Sequence, residues 1–434
     1  MSTRPSRVTV RLYQVGFGDC FLLTFSYPRR LEDGRTERHL LIDFGSTRWP
    51  KPRAGGYAEI AADVKQRTRG RLDAVVMTHR HKDHLGGFGD DRAAATIAAL
   101  KPRVVLRPWT EDPAVARDAR RPRGVGKGSA RLVAGLAAAQ RFAEEVTAKV
   151  PEGARGARGD LRDMADEQLP NEDAIQALDA MADAGKGVYL HAGQPSGLEE
   201  LLPGVEVSVL GPPTVEQCPA VASQRANDPE FWLGRRGLLD GMLDRVASAP
   251  RPLDAAAAEQ APIEPGPVRW LVERLREQEL HSLLRIVRTL DDALNNTSLV
   301  LLFKAGRRRM LFPGDAQIEN WTYCLKSEDA ADLRDGLDEV ELYKVGHHGS
   351  RNATPRSLLA LWDSRPRGVT SIMSTMPGVH GHSEATAVPR SALVTALRKL
   401  GPLVRTDDLP QGRLFVDVTA RTSGAAGFAV AEPG

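Results

Sequence analysis

The sequence predicts an α/β fold in which strand-forming segments build a scaffold and two long helical stretches interrupt it. Three observations support this prediction. Residues 8–13 alternate between apolar and polar side chains, as a half-buried strand does. Residues 72–77 form a short run that is apolar except for Asp73, which is typical of a buried strand. From about residue 113 to 186, apolar residues instead recur with helical spacing.

The predicted elements begin with strands joined by a glycine-rich turn at Gly16 and Gly18. The first three strand candidates are close together in sequence, so we expect them to pair as antiparallel strands. Residues 57–68 indicate a helix before the buried strand at residues 72–77. The other strand candidates are residues 21–25, 39–44, 103–106, 188–190, 205–210, 299–303 and 310–312.

Two long helical insertions, at about residues 113–186 and 213–292, separate the later strand candidates. The first is rich in Ala, Arg, Glu and Asp, and proline-rich joints break the second. Because strand-like segments flank both insertions, we predict a single domain over residues 1–434. The insertions could serve as lids over a site, as outward packing or as a dimer contact.

Composition and charge restrict the functional class only weakly. Lys and Arg number 59 against 56 Asp and Glu, and this net charge of +3 neither indicates nor excludes nucleic-acid binding. Three widely spaced cysteines indicate no disulfide framework and favour a reducing compartment. The N-terminus lacks an apolar signal core, and no run approaches the roughly 20 apolar residues of a membrane helix. We therefore predict a cytoplasmic protein.

The strongest chemical signal lies in residues 78–87, directly after the buried strand. Three histidines and an aspartate fall within six residues. A single histidine there would be explained by packing, but this density of polar rings and carboxylate requires a compensating cation. Imidazole and carboxylate ligands together suit zinc, manganese or iron. The potential ligands are His79, His81, Asp83 and His84.

Three further motifs follow strand-like segments later in the chain. Asp315 comes after a strand and a glycine turn, a pattern that alone would indicate an ordinary turn. Glycines flank His347 and His348, which favours close backbone approach to a ligand or metal. The last motif contains His380 and His382. Seven of the ten histidines therefore fall in three short motifs, which predicts a shared site.

The motif His-x-His-x-Asp-His followed by two glycines resembles the signature of the metallo-β-lactamase superfamily. The turn Val-Gly-Phe-Gly-Asp-Cys at residues 15–20 resembles one in the soluble hydrolase domain of the ComEC-like subgroup. The matches run in order from residue 8 to about residue 418 and leave both helical insertions unmatched. The other matching segments are residues 41–45, 296–300, 314–315, 344–350, 381–382 and 405–407.

The resemblance implies an αββα sandwich that holds two divalent metal ions, either zinc or manganese. It implies that His79 and His81 bind the first ion. Asp83 and His84 would then bind the second ion. Asp315 would bridge the two ions.

The resemblance also implies roles around the metal ions. His347 would complete the second site, His348 would contact substrate, and Asp43 would orient a ligand histidine through its other ring nitrogen. His382 would deliver a proton to the leaving group or contact a phosphate. The predicted catalytic residues are Asp83, His348 and His382. The residues predicted to support the ligands or contact substrate are Asp43, Asp19, Asn296, Ser298, Lys344 and Ser350.

One departure from the superfamily pattern concerns the first metal site. Many members carry another ligand histidine before the strand that leads to the bridging aspartate, whereas this chain has Asn295, Asn296 and Ser298. The ComEC-like subgroup also has asparagine in this region. An amide is a weaker ligand, so the resemblance implies a loose or water-filled first site. His191 could substitute, but we interpret it as a surface histidine.

The resemblance implies a hydrolase in which a hydroxide held between two metal ions attacks the substrate. The subgroup favours a phosphodiesterase or nuclease that acts on DNA, RNA or a nucleotide, with no membrane partner. One alternative is a small-molecule hydrolase such as a lactonase or thioesterase, because the fold does not choose among substrates. A second is a non-catalytic, metal-stabilised binding or regulatory module. Redox chemistry at a di-iron centre is a further alternative, although no segment resembles a flavodoxin.

Overall fold

The computed structural model describes six continuous segments of the chain, residues 3–51, 56–114, 171–222, 293–363, 368–379 and 387–431. Eight further residues are described, at positions 129, 132, 133, 136, 137, 144, 230 and 365. The described segments form two mixed β-sheets together with helices. The prediction of an α/β fold is therefore confirmed.

Each strand predicted from the sequence overlaps a strand of the structure. The described strands are β1 (Arg7–Tyr13), β2 (Cys20–Ser26), β3 (Glu37–Phe44), β4 (Ala74–Val76), β5 (Val104–Pro108), β6 (Gly187–Leu190), β7 (Val205–Gly211), β8 (Val300–Ala305), β9 (Arg308–Phe312), β10 (Leu342–Lys344), β11 (Thr370–Met373), β12 (Leu403–Arg405), β13 (Phe415–Arg421) and β14 (Ala429–Val430). The first sheet has the order β14-β13-β1-β2-β3-β4-β5-β6, and the second has the order β12-β11-β10-β9-β8-β7.

Both sheets contain a run of parallel strands, and this determines where their loops meet. Strands β3 to β6 are parallel in the first sheet, and β9 to β12 are parallel in the second. The carboxyl ends of parallel strands share one edge of a sheet, where ligand sites form in open α/β folds. Strands β2 and β8 are antiparallel to β3 and β9, so each begins at that same edge.

The inner faces of the two sheets form one hydrophobic core. The rings of Phe21 and Phe312, from opposite sheets, have centroids 5.8 Å apart. Phe25 and Phe303 form a second contact between the sheets, at 6.3 Å. All four rings are buried, and they belong to one cluster of apolar residues from both sheets. Sheet-to-sheet packing therefore fixes the two carboxyl edges relative to each other.

Helices cover the outer face of each sheet. The described α-helices are α1 (Tyr57–Arg67), α2 (Lys82–Leu85), α3 (Asp91–Ala98), α4 (Glu172–Ala184), α5 (Ile318–Lys326), α6 (Arg356–Ala360) and α7 (Ser391–Leu400). Helices α1, α3 and α4 bury apolar side chains against the first sheet, and α5, α6 and α7 do so against the second. Asp90 and Asn171 cap α3 and α4 by accepting backbone hydrogen bonds. Within the described segments, no helix is long and apolar enough to cross a membrane.

The end of the first predicted insertion is part of this scaffold. Helix α4 falls within residues 113–186, and its Leu178 and Met181 are buried in the cluster against the first sheet. This stretch is helical, as the periodicity predicted, and it packs on the outside of the sheet. Most of the remaining residues of both predicted insertions lie outside the described segments.

Replacing Phe303 with alanine is expected to lower the free energy of unfolding by about 3–5 kcal/mol. The ring is fully buried and contacts Phe25 and Phe312, so its removal leaves a cavity in a close-packed core. Urea denaturation followed by circular dichroism would measure the change. The control is Leu361→Ala, because Leu361 is 40% exposed and should change stability by about 0.5 kcal/mol or less. A small effect of both variants would contradict the shared core.

Candidate metal centre

Loops at the carboxyl edges of the two sheets bring acidic and histidine side chains together from distant parts of the sequence. The residues are Asp19 before β2, Asp43 near the end of β3, His79, His81, Asp83 and His84 after β4, Asp315 after β9, and His348 after β10. The loops are in close contact. An added Cβ on Gly45 would lie 2.2 Å from the carbonyl carbon of Asp83, so only glycine fits there.

His84 is oriented from behind by Asp43. Its Nδ1 donates a hydrogen bond to Oδ2 of Asp43 at 2.8 Å. Thr78 donates to the same carboxylate through its backbone N–H at 2.8 Å and its hydroxyl at 2.7 Å. Because the proton lies on Nδ1, the lone pair of Nε2 is the one that could bind a metal. This arrangement is usual behind a metal-binding histidine. This buried Nε2 faces the carboxylate of Asp315.

Four potential ligand atoms, Nε2 of His84 among them, lie close together. This nitrogen lies 3.0 Å from Oδ2 of Asp315 and 3.7 Å from Oδ2 of Asp83. Nε2 of His348 lies 2.8 Å from Oδ2 of Asp83 and 3.5 Å from Oδ2 of Asp315. All four atoms lie within 4.8 Å of one another. This largely buried Asp/His group, which we call the four-residue group, could hold a metal ion.

The spacing and chemistry of the four-residue group fit a divalent cation. Ligand atoms at about 2.0–2.1 Å from a zinc ion lie roughly 3.3 Å apart in a tetrahedral site. The measured separations between a ring nitrogen and a carboxylate oxygen, 2.8 Å to 3.7 Å, bracket that value. Imidazole and carboxylate are ligands that both zinc and manganese accept. A cation would also take the place of the proton between Nε2 of His84 and Oδ2 of Asp315.

His348 contributes its ring to the four-residue group, whereas His347 contributes its backbone. Nδ1 of His348 donates to the carbonyl oxygen of Ser374 at 3.0 Å, which leaves Nε2 facing the carboxylates. The backbone N–H of His347 donates to Oδ1 of Asp315 at 2.9 Å. The sequence resemblance implies that His347 binds the metal and that His348 contacts substrate. The structure instead brings the ring of His348 into the four-residue group.

Lys344 is a buried cation between two carboxylates of the site. Its ammonium forms an ion pair with Asp19 and lies 3.1 Å from Oδ1 of Asp315. It also donates to the carbonyl oxygen of Gly314 at 2.8 Å. Oδ1 of Asp315 is thus held by Lys344 and by the N–H of His347, so Oδ2 alone faces the four-residue group. Asp19 and Lys344, both predicted to support the ligands, lie directly behind it.

His79 and His81 lie beside the four-residue group. Nε2 of His79 is 3.0 Å from Nδ1 of His81, which is 3.1 Å from Oδ1 of Asn295. Nδ1 of His79 lies 3.2 Å from the hydroxyl oxygen of Thr78, which is consistent with a proton on that nitrogen. The rings of His79 and His84 have centroids 4.1 Å apart, so the nitrogen atoms of His79 and His81 lie next to the four-residue group.

Asn296 and Ser298 shape the loop before β8. Nδ2 of Asn296 donates to Oε2 of Glu319 at 3.0 Å, so this amide is engaged with α5. Nδ2 of Asn320, also on α5, donates to the backbone carbonyl oxygens of Asn296 and Ser298. The hydroxyl oxygen of Ser298 accepts a hydrogen bond from the N–H of Asp315 at 3.1 Å. Asn296 and Ser298 therefore hold the loop in place. The side-chain amide that contacts a histidine of the site, His81, is that of Asn295.

The remaining residues that the sequence singled out do not join the four-residue group in the part of the chain that the structure describes. The hydroxyl of Ser350 donates to Oδ1 of Asn352 at 3.1 Å, within its own loop. His191 follows β6, and its Nδ1 lies 3.0 Å from the carbonyl oxygen of Ala192. Among the described residues, His191 belongs neither to the four-residue group nor to a second possible metal-binding group formed by Asp19, Asp43 and His84. His380 and His382 lie outside the described residues.

Three contributors to the site were not assigned a role from the sequence. Thr78 fixes Asp43, and its only signal is its position directly before His79. Ser374 holds His348 through a main-chain carbonyl, which any residue type could supply. Phe17 packs on the ring of His348 with centroids 4.3 Å apart, and nothing in its local sequence indicates that contact.

The electrostatics of the site favour a cation. Burial alone would raise the pKa values of Asp83 and Asp315, but the charge on His84 and other nearby cations holds both below their usual range. Burial alone would lower the pKa values of His84 and His348, but the surrounding carboxylates raise both. In the metal-free protein, His84 and His348 are therefore protonated. Their positive charges offset the carboxylates that a metal cation would otherwise neutralise.

Metal binding is expected to release protons and to weaken as the pH falls. His84 and His348 must be neutral to bind a metal, whereas their raised pKa values keep them protonated in the metal-free protein. The apparent affinity should fall about tenfold per pH unit for each proton displaced, at pH values below those raised pKa values. Calorimetry in buffers of different ionisation enthalpy would count the protons. An affinity that does not change with pH would contradict this prediction.

Comparison with known proteins does not assign the chain to a family. No protein-family model matches the sequence, and no curated protein matches it either. The functional argument therefore rests on the chain's own residues and on the geometry of the site.

Proposed function

We propose that the protein is a dinuclear metal-dependent hydrolase of the metallo-β-lactamase type. The observation that carries this proposal is the four-residue group, Asp83, His84, Asp315 and His348, which distant segments of the chain assemble. Both imidazoles in it are held from behind by a hydrogen-bond acceptor, as metal-binding histidines are. A structural ion pair would not need this orientation of each ring.

The architecture supports the same proposal. Two mixed sheets share one core, and helices pack against both outer faces. This arrangement supports the αββα sandwich that the sequence motifs imply. The motifs are spread along most of the chain, yet their polar residues meet at one edge of the two sheets, where such a fold would carry its active site.

Each proposed ligand is held by another part of the chain. The proposed ligands are His79 and His81 for the first ion, Asp83, His84 and His348 for the second, and Oδ2 of Asp315 for both. When bound, such a pair of ions activates a water molecule and polarises the scissile group. Asp43 and the carbonyl of Ser374 keep the ring protons on Nδ1, so both Nε2 atoms stay available. By motif resemblance, His382 is the candidate to protonate the leaving group.

The charge of the site supports an anionic substrate, and we propose a phosphodiester. With neutral histidines, four carboxylates and one ammonium group leave the described cluster with an excess of three negative charges. Two divalent cations with a neutral bound water molecule would exceed this by one positive charge and would attract a singly charged phosphodiester; loss of a proton from that water would bring the site to zero charge. The cluster consists of Asp19, Asp43, Asp83, Asp315 and Lys344. The resemblance to the ComEC-like subgroup favours the same substrate class.

Hydrolysis of bis-p-nitrophenyl phosphate after loading with manganese or zinc tests this proposal. The wild-type protein should cleave the diester, and His81→Ala should lose activity because it removes a proposed ligand. His191→Ala is the matched control and should retain activity, because His191 follows β6, is not a proposed ligand, and its Nδ1 lies 3.0 Å from the carbonyl oxygen of Ala192. Metal binding without diester hydrolysis, but with cleavage of an ester, lactone or thioester, would overturn the substrate assignment and leave a hydrolase.

A further inference from the structure

A cavity of about 310 Å³ lies at the carboxyl edge of the scaffold, next to the loops that hold His348. Its wall includes Gln14 after β1, Pro50 after β3, Thr375 after β11 and Thr406 after β12. None of these residues is a proposed metal ligand. Ligand pockets usually measure about 300–1,000 Å³, so this cavity is large enough for one small group.

Two wall residues are the sequence neighbours of residues that support His348. Thr375 follows Ser374, whose carbonyl oxygen accepts the hydrogen bond from Nδ1 of His348 at 3.0 Å. Gly16, also in the wall, precedes Phe17, whose ring packs on His348 with centroids 4.3 Å apart. Consecutive Cα atoms are about 3.8 Å apart, so the cavity begins one residue away from these supports. A substituent of a substrate held at the metal centre would therefore lie close to it.

The wall presents two side chains with unused hydrogen-bonding capacity. Thr375 is 1% exposed, and its Oγ1 makes no hydrogen bond to any residue that the structure describes. A buried hydroxyl without a partner is rare in folded proteins. Nε2 of Gln14 donates to the carbonyl oxygen of Thr406 at 3.0 Å, which leaves Oε1 as an acceptor. The cavity thus offers a hydroxyl and an amide oxygen to a bound molecule.

The backbone around these two groups is held in place by the protein itself. The N–H of Thr375 donates to Oγ1 of Thr406 at 2.9 Å, and that hydroxyl donates to the carbonyl oxygen of Thr375 at 3.0 Å. Gln14 binds the same Thr406 through its amide. The cavity is therefore formed before any ligand enters, which lowers the entropic cost of binding.

The composition of the wall favours an uncharged ring over a second phosphate. Lys51 and Asp407 carry opposite charges, so the wall has no net charge to attract another anion. Pro50, Met376 and Leu409 contribute half-buried apolar side chains, against which a ring can pack. Proteins recognise a nucleobase by this combination, with packing on its faces and hydrogen bonds to its edge. A simple alkyl group would leave the polar groups of the wall unpaired.

We propose that this cavity binds the nucleobase of a diester whose phosphate lies at the metal centre. The inference rests on the proposed function and narrows its substrate class to diesters that contain a nucleoside. Thr375 and Gln14 determine the specificity by hydrogen bonding to the edge of the base. Because the base is remote from the scissile bond, its binding lowers KM more than it raises kcat.

Ligand-observed NMR of the metal-free protein with adenosine, guanosine, cytidine and uridine tests the cavity without any hydrolysis. At least one nucleoside should bind, and Thr375→Val should weaken its binding about 2- to 10-fold, the usual contribution of one hydrogen bond. Valine has the shape of threonine, and the substitution removes no hydrogen bond made by Oγ1 within the described part of the chain, so the variant should fold. Thr395→Val, at an exposed position of α7, is the matched control and should bind as the wild type does.

Hydrolysis by the manganese-loaded protein then compares two diesters that share one leaving group. The first is methyl p-nitrophenyl phosphate, and the second is the p-nitrophenyl ester of the 5′-phosphate of the nucleoside that binds most tightly. The nucleoside ester should have a kcat/KM about tenfold higher or more, mainly through KM. Thr375→Val should reduce this ratio, again through KM, and Thr395→Val should keep it.

The outcomes separate this inference from the proposed function. Absence of binding by all four nucleosides, binding that Thr375→Val leaves unchanged, or equal kcat/KM for the two diesters would each overturn the inference and leave the hydrolase proposal standing. Failure of the metal-loaded wild type to cleave either diester would overturn the proposed function. Nucleoside binding weakened by Thr375→Val would in that case still support a base-binding cavity.

Discussion

Replacing Asp315 with asparagine is expected to reduce diester hydrolysis by more than about 100-fold, because loss of a residue behind a ligand already costs about 10- to 100-fold. Oδ2 of Asp315 is the oxygen that faces His84 and His348. The asparagine can keep Oδ1 for the N–H of His347 and for Lys344, but it replaces Oδ2 with an amide nitrogen that cannot bind a cation. The measurement is kcat/KM with metal in excess, together with bound metal per chain.

Asp90→Asn is the matched control for this variant. Asp90 caps α3 by accepting a hydrogen bond from Ala93, and asparagine caps a helix equally well. We expect its activity and metal content to equal those of the wild type. Hydrolysis by Asp315→Asn within a few fold of the wild-type rate would contradict the assigned role of Asp315.

Replacing Lys344 with methionine is expected to destabilise the metal-free protein by about 3–5 kcal/mol, the usual cost of breaking a buried ion pair on one side. The ammonium is buried between Asp19 and Asp315, and methionine has a similar shape but no charge. Its removal leaves the buried carboxylate of Asp19 without its ion-pair partner, and in the metal-free protein only the protonated histidines then offset the charges of Asp19 and Asp315. Urea denaturation in the presence of a chelator would measure the loss.

A double-mutant cycle separates this charge effect from packing. Adding Asp19→Asn to Lys344→Met removes the unpaired charge and should recover a large part of the lost stability. Added metal should also stabilise Lys344→Met more than it stabilises the wild type, because a cation would replace the missing ammonium charge. Purely additive effects of the two substitutions would contradict the role of Lys344 as counter-ion.

The carboxyl edge of the scaffold was predictable because its signals are local. The apolar run that becomes β4 precedes four potential ligands, and a glycine turn after β9 presents Asp315. Such patterns involve residues that are neighbours in the sequence, so they can be recognised without knowledge of the tertiary structure. Sequence also predicted that Asp43 would orient a ligand histidine, and in the structure it holds His84. The metal-binding role of these residues stays a prediction.

The choice between His347 and His348 could not be made from the sequence. The two histidines are adjacent and share the same glycine flanks. Backbone φ angles of 46° and 52°, which are uncommon outside glycine, set their directions. Only the position of the Ser374 carbonyl shows which ring faces the carboxylates.

The same limit applies to contacts between distant segments. Lys344 and Asp19 are far apart in sequence, and neither residue's neighbours indicate the ion pair that joins them. The helical periodicity of the first predicted insertion was correct for α4, but periodicity does not show against which surface a helix packs. Tertiary packing decides both features.

Equilibrium dialysis against increasing concentrations of Mn²⁺ or Zn²⁺, followed by elemental analysis, tests the central claim most directly. The wild type should bind metal at low concentration and reach about two ions per chain at high concentration. His84→Ala, which removes a ligand whose Nε2 is buried in the four-residue group, should lose the tightly bound ion. No bound metal at any concentration, or equal binding by His84→Ala, would contradict the claim that this cluster is a metal centre.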